Sequence, residues 1–283
     1  MYCLLPVKST TMGTPCWIEK DKYHMLLQTK KQSKDLLDAI ELFSFYTEAY
    51  EELKEWCMHT DTNVEYLMSN KHTAERKCRG LLLELKTYFL QMGPKLSRKY
   101  GESSAVYKLY TKARRDAART DATFAFVMDL KEYANHCNEI VHSFMAPNDK
   151  NYLQPCCIPT MLLPDFNGWT KASLQYISTA TGNIDLLEVF ETIHDIVKKI
   201  QEQLIAHLLS TNDLKDRLLA LRAFMDEHFT KENCYCFHLA HMVYQNGKDA
   251  PKAAFYQNKL NVKFNALPID WKMFYELTDL LRG

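Results

Sequence analysis

The chain has 283 residues, and its 35 basic and 35 acidic residues give a formal net charge of zero. This length allows one large domain or two smaller ones with a substantial core, and the eight glycines and nine prolines favour helix over sheet. The odd number of nine cysteines, together with an N-terminal apolar run too short for a secretory signal, argues against a disulfide-stabilised secreted protein. A reduced, cytoplasmic setting is expected. The sequence contains no run of about 18 apolar residues, so neither a membrane span nor a membrane partner is expected.

The N-terminal half predicts short strands followed by two long helices. Residues 1–27 contain brief apolar or alternating stretches and a turn, which are typical of extended structure. Residues 33–59 then place apolar side chains at helical spacing, and so do residues 63–92. The second predicted helix ends at Gly93-Pro94, because this pair usually stops a helix.

The middle of the chain predicts two more helices and a loop. Residues 102–119 form a polar helix, and Thr120 or Asp121 can cap the next one, which is expected to continue to about Ser143. Four prolines then fall within residues 146–168, a density that predicts a loop and a domain boundary.

The C-terminal part again alternates long helical stretches with one strand. Helices are predicted at 184–209, 212–229, 232–245 and 268–282, with a turn at 247–251 and a strand at 259–265 that pairs with the N-terminal segment. The predicted organisation is an extended segment (1–27), a helical domain (28–145), a proline-rich loop (146–168) and a C-terminal helical region (169–283). The fold class is therefore mainly all-α with a minor β element.

Charge is distributed unevenly along the chain. Residues 32–70 carry nine acids and two bases, whereas residues 71–120 carry thirteen bases and four acids. This asymmetry indicates either neighbouring helices of complementary charge with solvated outer faces, or a basic surface for phosphates. Likewise Arg114, Arg115 and Arg119 either position RNA through salt-sensitive contacts or lie on a solvated helix face.

Lys131 and His136 form the most informative pair in the sequence. They lie five positions apart on a predicted helix, which places them about 140° from each other around its axis. A histidine and a cation together can cleave RNA without a metal. The histidine moves a proton from the ribose 2′-hydroxyl to the leaving oxygen, and the cation stabilises the phosphate. Tyr133 and Asn135 could orient the scissile phosphate. Alternatively, Lys131 and His136 are ordinary surface residues.

Other site chemistry has weaker support in the sequence. On a helix, Cys234, His238 and His241 would share one face and could hold zinc, but their spacing is not that of a zinc finger. Buried cysteine and histidine packing explains them more simply, so no metal is expected. Phosphate-binding glycine loops, nucleophile elbows and dinucleotide fingerprints are absent from the sequence, and no cofactor is expected.

The segment 78–144 resembles a family of bacterial proteins. The resemblance is carried by residues 85–91, by Ser97-Arg-Lys-Tyr-Gly101, by residues 124–137 and by Val141-His-Ser143. The Arg-Asn-x-x-x-His core of that family in turn resembles the RxxxxH signature of HEPN domains. Those are small helical domains, many of which act as dimeric, metal-independent ribonucleases in toxin–antitoxin and antiviral defence systems.

This resemblance implies a HEPN-like antiparallel bundle, a homodimer and an endoribonuclease site. Lys131 stands where the family has arginine, Glu132 where it has asparagine, and His136 where it has the catalytic histidine. Lysine lacks the planar, bidentate fork with which arginine holds a phosphate. In the first segment, Lys86 and Gln91 replace an arginine and a histidine. The alternative function is therefore a non-catalytic module that binds RNA, or a partner protein, in the same groove.

Overall fold

The structure is a computed structural model that describes residues 2–8, 11–12, 16–59, 64–136, 139–145, 154–164, 166–228, 236–244, 260–264 and 278. The fold is mostly helical with a minor antiparallel β component, which confirms the fold class expected from the sequence. Within the described ranges, no helix combines the length and the apolar character needed to cross a membrane.

Helices and strands alternate in groups along the described chain. The helices are α1 (Lys20–His59), α2 (Val64–Tyr100), α3 (Ala105–Thr120), α4 (Ala122–His136), α5 (Pro159–Leu162), α6 (Lys171–Thr179), α7 (Leu186–Ser210) and α8 (Leu214–His228), with a 3₁₀ turn at Thr211–Asp213. The strands are β1 (Tyr2–Lys8), β2 (Thr11–Met12), β3 (Cys16–Ile18), β4 (Ser143–Met145), β5 (Gln154–Cys157), β6 (Ile184–Asp185), β7 (Cys236–Tyr244) and β8 (Leu260–Phe264).

The chain divides into two compact units. One unit contains residues 1–37 and 208–283, and the other contains residues 38–207. In the first unit an antiparallel sheet has the order β2-β1-β7-β8, and β3 also pairs with β1. The predicted strand near the C-terminus is confirmed as β8. It shares a sheet with the N-terminal strand, but β7 lies between the two.

The predicted helix at 232–245 is wrong, because residues 236–244 form strand β7. This strand is hydrogen-bonded on both sides, with Ala240 opposite Cys3 and Met242 opposite Val262. The sequence of β7 is a short, mainly apolar run without strict alternation, and its two histidines, His238 and His241, are three positions apart, as on a helix. Its sequence is therefore hard to distinguish from that of a buried helix. The predicted turn at 247–251 lies outside the described residues, as does the predicted 268–282 helix apart from Thr278.

The two long N-terminal helices extend beyond their predicted bounds. α1 begins at Lys20, because Tyr23 and Leu26 start a buried helical stripe that the polar but buried Thr29 and Ser33 hide from a hydropathy pattern. α2 continues through Pro94 to Tyr100, so the predicted stop at Gly93-Pro94 is wrong. Buried residues on both sides of the proline, such as Met92 and Leu96, offset the hydrogen bond that proline cannot form.

The third and fourth helices agree with the sequence at their start but not at their end. Asp121 caps α4, since its Oδ1 accepts the backbone N–H of Phe124 at 3.1 Å. α4 ends at His136 rather than near Ser143, which instead begins β4. The predicted loop at 146–168 contains β5 and α5 in its described part, with Pro159 at the first turn of α5.

The second unit is held together by a core between α1, α2 and α7. The buried Gln201 amide of α7 accepts from the Tyr88 hydroxyl at 2.9 Å and donates to the Ala39 carbonyl at 3.0 Å. His194 stacks on Tyr50 with a ring separation of 4.3 Å, and burial lowers the pKa of this histidine. Burial therefore favours the neutral form of this stacked, half-buried imidazole.

Helix α4 lies against α2, α3 and α6, and an aromatic cluster fixes it there. Trp169 stacks on Phe126 and on Tyr133 of α4, at ring separations of 5.9 Å and 5.5 Å. Tyr176 of α6 stacks on Phe126 at 4.8 Å. One side of α4 is thus packed against aromatic side chains, and a functional site has to lie on its other side.

Candidate functional site

The outer face of α4 is defined by helical spacing. Ala125, Asp129, Glu132 and His136 follow one another at intervals of four, three and four residues, so they lie on one side of the helix. The Asp129 carboxylate has a structural role, because it accepts the Thr170 backbone N–H at 2.7 Å at the start of α6. The positions with reactive side chains therefore lie in the last two turns of α4.

Glu132 is the centre of a four-residue group that we call the α4 cluster: Lys86, Lys131, Glu132 and His136. Its carboxylate accepts from Lys131 Nζ at 2.9 Å and from Lys86 Nζ of α2 at 3.3 Å. The other carboxylate oxygen lies 3.9 Å from His136 Nε2. Lys131 and His136, which diverge around the helix axis, are thus brought together by a carboxylate between them.

Burial and charge make the two lysines unequal. Burial lowers the pKa of Lys131, whose side chain is 6% exposed, and the nearby Lys86 amine lowers it further. A hydrogen bond with Lys131 raises the pKa of Lys86, and the Glu132 carboxylate adds to this effect. Lys86 is therefore the stronger and more accessible cation of the cluster, with 31% of its side chain exposed.

His136 is the solvent-facing member of the cluster. It is the last residue of α4, and 69% of its side chain is exposed. An exposed imidazole beside a carboxylate and two amines can exchange protons with a bound ligand, while the amines stabilise negative charge on it.

A buried carboxylate on α2 holds the segment that follows α4. Glu75 accepts the backbone N–H groups of Ile140 and Val141, at 3.0 Å and 2.8 Å from Oε2. Arg79 pairs with Glu75 and also donates to the Ala134 carbonyl in the last turn of α4. The end of α4, and with it the position of His136, is therefore fixed from α2.

The two predicted phosphate-orienting residues have different positions. Asn135 is exposed beside His136. Tyr133 is 1% exposed, and its hydroxyl donates to the Met161 carbonyl at 3.3 Å. Tyr133 is therefore a core residue, and the assignment of this side chain to a phosphate site is corrected.

The three arginines of α3 have different surroundings. Arg114 lies over the Phe89 ring, with 5.0 Å between the guanidinium carbon and the ring centre. Arg114 and Arg115 line a groove of about 520 Å³ between α3, the first half of α4 and the start of α6. Arg119 is exposed in the last turn of α3. The structure thus joins Arg114 and Arg115 to a groove rather than to the α4 cluster.

The structure does not support the helical arrangement on which a zinc site at Cys234, His238 and His241 would depend. His238 and His241 belong to a strand rather than a helix, so the four- and seven-residue spacing no longer defines a shared face. Cys234 lies outside the described residues. In the part of the chain that the structure describes, no group of three or more potential metal ligands comes together.

Sequence reasoning found Lys131 and His136 but did not assign Lys86 to the site. Lys86 precedes Glu132 by 46 positions and joins the cluster through the packing of α2 on α4. Two features of the sequence could have pointed to Lys86: its positive charge and its position within residues 85–91, which carry part of the family resemblance.

Comparisons with protein-family models, with curated proteins and with solved structures gave no match to this chain.

Proposed function

We propose that this chain is a HEPN-like, metal-independent endoribonuclease of a bacterial defence or toxin system, acting in the cytoplasm. The observation that carries the proposal is the α4 cluster, in which an exposed His136 lies beside a carboxylate that gathers Lys86 and Lys131. This arrangement offers a proton acceptor and a cation within reach of one ligand. No cofactor is needed for the reaction.

The chemistry requires one proton to move between two oxygens. His136 accepts the proton of a ribose 2′-hydroxyl, and the 2′-oxygen forms a bond to phosphorus. The bond between phosphorus and the 5′-oxygen breaks, and the imidazolium returns the proton to that oxygen. The products are a 2′,3′-cyclic phosphate and a 5′-hydroxyl, and Lys86 and Lys131 stabilise the charge that develops on the phosphate.

A homodimer is part of the proposal. Leu83 and Leu90 of α2 are each 57% exposed, and they lie three positions before and four positions after Lys86. Two large apolar side chains beside a cluster member support a two-fold contact that would bring two clusters together.

A second candidate function is a non-catalytic module that binds RNA or a partner protein. The burial of Lys131 favours it, because a buried amine that already pairs with the Glu132 carboxylate is less accessible to a phosphate and attracts it less. Glu132 also places a negative charge where a phosphate would bind.

RNA cleavage in the presence of EDTA tests the nuclease. The variants are His136→Ala, Lys86→Ala, Lys131→Arg and, as a control, His72→Ala, which removes another exposed histidine outside the cluster. We expect His136→Ala to lower the rate at least about 100-fold, because the proton carrier is lost. Lys86→Ala should lower the rate about tenfold or more through lost phosphate stabilisation, and Lys131→Arg should keep or raise the activity.

The outcomes separate the two candidates. Cleavage that His136→Ala and His72→Ala reduce equally would rule out His136 as the proton carrier. No cleavage by the wild type, together with activity after combined Lys131→Arg and Glu132→Asn, would identify a site that has lost its activity. Equal low activity in all variants would indicate contamination, and the nuclease hypothesis should then be abandoned.

A further inference from the structure

An exposed acidic stripe runs along α1 in the second unit. Glu41, Phe45, Glu48, Glu52 and Glu55 are exposed and follow one another at intervals of four, three, four and three residues. They therefore lie on one side of the helix over about 21 Å. We call this stripe the acidic face. It includes an unusual member, because Phe45 leaves 47% of its surface exposed to solvent.

An exposed basic stripe of similar length runs along α3. Lys108, Lys112, Arg115 and Arg119 are exposed at intervals of four, three and four residues. They cover about 16 Å of one side of the helix. We call this stripe the basic face.

The two faces retain most of their charge. Glu52 pairs with Lys77 at 3.4 Å. Among the described residues, no ion pair forms at the other three glutamates of the acidic face or at the four basic residues of the basic face. Each face therefore offers charge that the described part of its own chain does not neutralise.

An apolar recess lies beside the basic face. The groove between α3 and α4 is bordered by Arg115, and Ala118, Ala125 and Met128 supply apolar parts of its wall. A groove of about 520 Å³ is large enough for an aromatic side chain. The acidic face presents such a side chain, Phe45, between two glutamates.

From these features we infer that the basic face and its groove bind the acidic face of a second copy of this chain. Glutamates of the acidic face of one copy form ion pairs with Lys112, Arg115 and the other cations of the basic face of the second copy. Phe45 of the first copy enters the groove of the second. This contact joins two different surfaces, so one copy keeps its acidic face unused and the other copy keeps its basic face unused. Repetition of the contact produces a ring or a filament, and the inference does not depend on the nuclease proposal.

A nucleic acid fits this surface less well. Phe124, the aromatic residue that lines the groove, is 2% exposed and offers no ring for base stacking. Polar side chains such as Thr111 and Asp129 also line the groove, but most of its surface is apolar, which suits an apolar anchor. The acidic face, in contrast, supplies both the opposite charge and such an anchor.

The test uses charge reversal on one face at a time. One variant carries Glu41→Lys and Glu48→Lys, and the other carries Lys112→Glu and Arg115→Glu. All proteins also carry Leu83→Glu and Leu90→Glu, which removes the separate two-fold contact proposed above. Matched controls are Glu202→Lys and Lys199→Glu, which reverse exposed charges of α7. Light scattering and sedimentation velocity at low salt, at tens of micromolar protein, give the mass.

We expect the background protein and both controls to form species larger than dimers that dissociate in high salt. Each face variant alone should remain monomeric, since like charges then face each other. An equimolar mixture should recover association, because the intact acidic face of one variant pairs with the intact basic face of the other, and the two reversed faces also carry opposite charges. Phe45→Ala should weaken the association at least tenfold.

Three results would overturn the inference. The background protein could remain monomeric at low salt, the face variants could associate as strongly as the controls, or the mixture could fail to form a complex. If the basic-face variant loses RNA binding but the masses do not change, the face binds nucleic acid instead. Far-ultraviolet circular dichroism checks that every variant is folded.

Discussion

Glu132 determines how much of the positive charge in the α4 cluster reaches a ligand. Its carboxylate accepts hydrogen bonds from Lys131 and Lys86 and also lies near His136. Removing it would free both amines but would also leave them to repel each other. The same residue therefore organises the cluster and limits its attraction for phosphate.

The pH dependence of stability should report this role. The hydrogen bond from Lys131, followed by that from Lys86, holds the pKa of Glu132 below its ordinary value of 4.5. The folded state therefore binds the proton less readily than the unfolded state. The stabilisation by Glu132 is complete above the ordinary pKa and is lost as the pH falls through the lower, folded pKa.

Urea unfolding of the wild type and of Glu132→Gln over a pH series checks this expectation. The difference between the two midpoints should be constant between about pH 6 and 8 and should shrink below about pH 4.5. Glu202→Gln, at an exposed position of α7, is the control and should show no such change. A Glu132→Gln difference that stays the same down to pH 3 would contradict the assigned hydrogen bonds.

Individual site residues were predictable to different degrees. Lys131 and His136 stand out because they match a motif, and the motif gives their spacing directly. Lys86 needs the packing of α2 on α4, which a single sequence does not reveal. Tyr133 was misassigned because its position beside the motif gives no sign that Trp169 covers its ring.

At the scale of single elements, α4 depends on a partner that lies outside it. Arg79 of α2 binds the Ala134 carbonyl in its last turn, and Glu75 of α2 binds the N–H groups of the following segment. A carboxylate that accepts two backbone N–H groups replaces the water that would otherwise bind there. The position of His136 is therefore controlled from a neighbouring helix.

The variant Glu75→Gln tests this dependence. Its amide retains one acceptor oxygen but turns a donor toward the N–H groups of Ile140 and Val141, and it loses the ion pair with Arg79. We expect the free energy of unfolding to fall by roughly 3 kcal/mol, the cost of buried hydrogen bonds to a charged group. Urea denaturation measures it, and Glu84→Gln on the same helix should change it by less than about 0.5 kcal/mol. Equal effects of the two variants would show that Glu75 does not hold the segment.

Element prediction succeeded where one physical signal dominated. The long helical stripes gave the interiors of α1, α2 and α7, and Asp121 gave the start of α4. The stop expected at Gly93-Pro94 failed because packing on both sides outweighs one lost hydrogen bond. β7 failed because its apolar residues do not alternate strictly with polar ones, and its two histidines, His238 and His241, are spaced as on a helix.

At the scale of the whole molecule, the proposed two-fold contact can be separated from folding. Leu83 and Leu90 are exposed, so changing both to glutamate should leave the stability nearly unchanged. We expect this double variant to halve the mass of wild-type protein in high salt, where the charged faces of α1 and α3 no longer bind.

Light scattering gives the mass, and RNA cleavage by the same samples shows whether activity needs the dimer. The exposed Leu174 of α6, changed to glutamate, is the control. A wild type that is monomeric in high salt at tens of micromolar would contradict the two-fold contact.

The pairing of β1 with β7 has a consequence for protein synthesis. Tyr2 lies opposite His241, so the two paired strands are separated in the chain by the whole of the contiguous second unit. Residues 38–207 are contiguous and can close their own contacts as soon as they leave the ribosome. The first unit cannot form its sheet until β7 is synthesised. The pairing of β1 with β7 closes a long loop of chain, which slows the folding of this unit. Until β7 pairs with it, one edge of β1 is open to pairing with another chain.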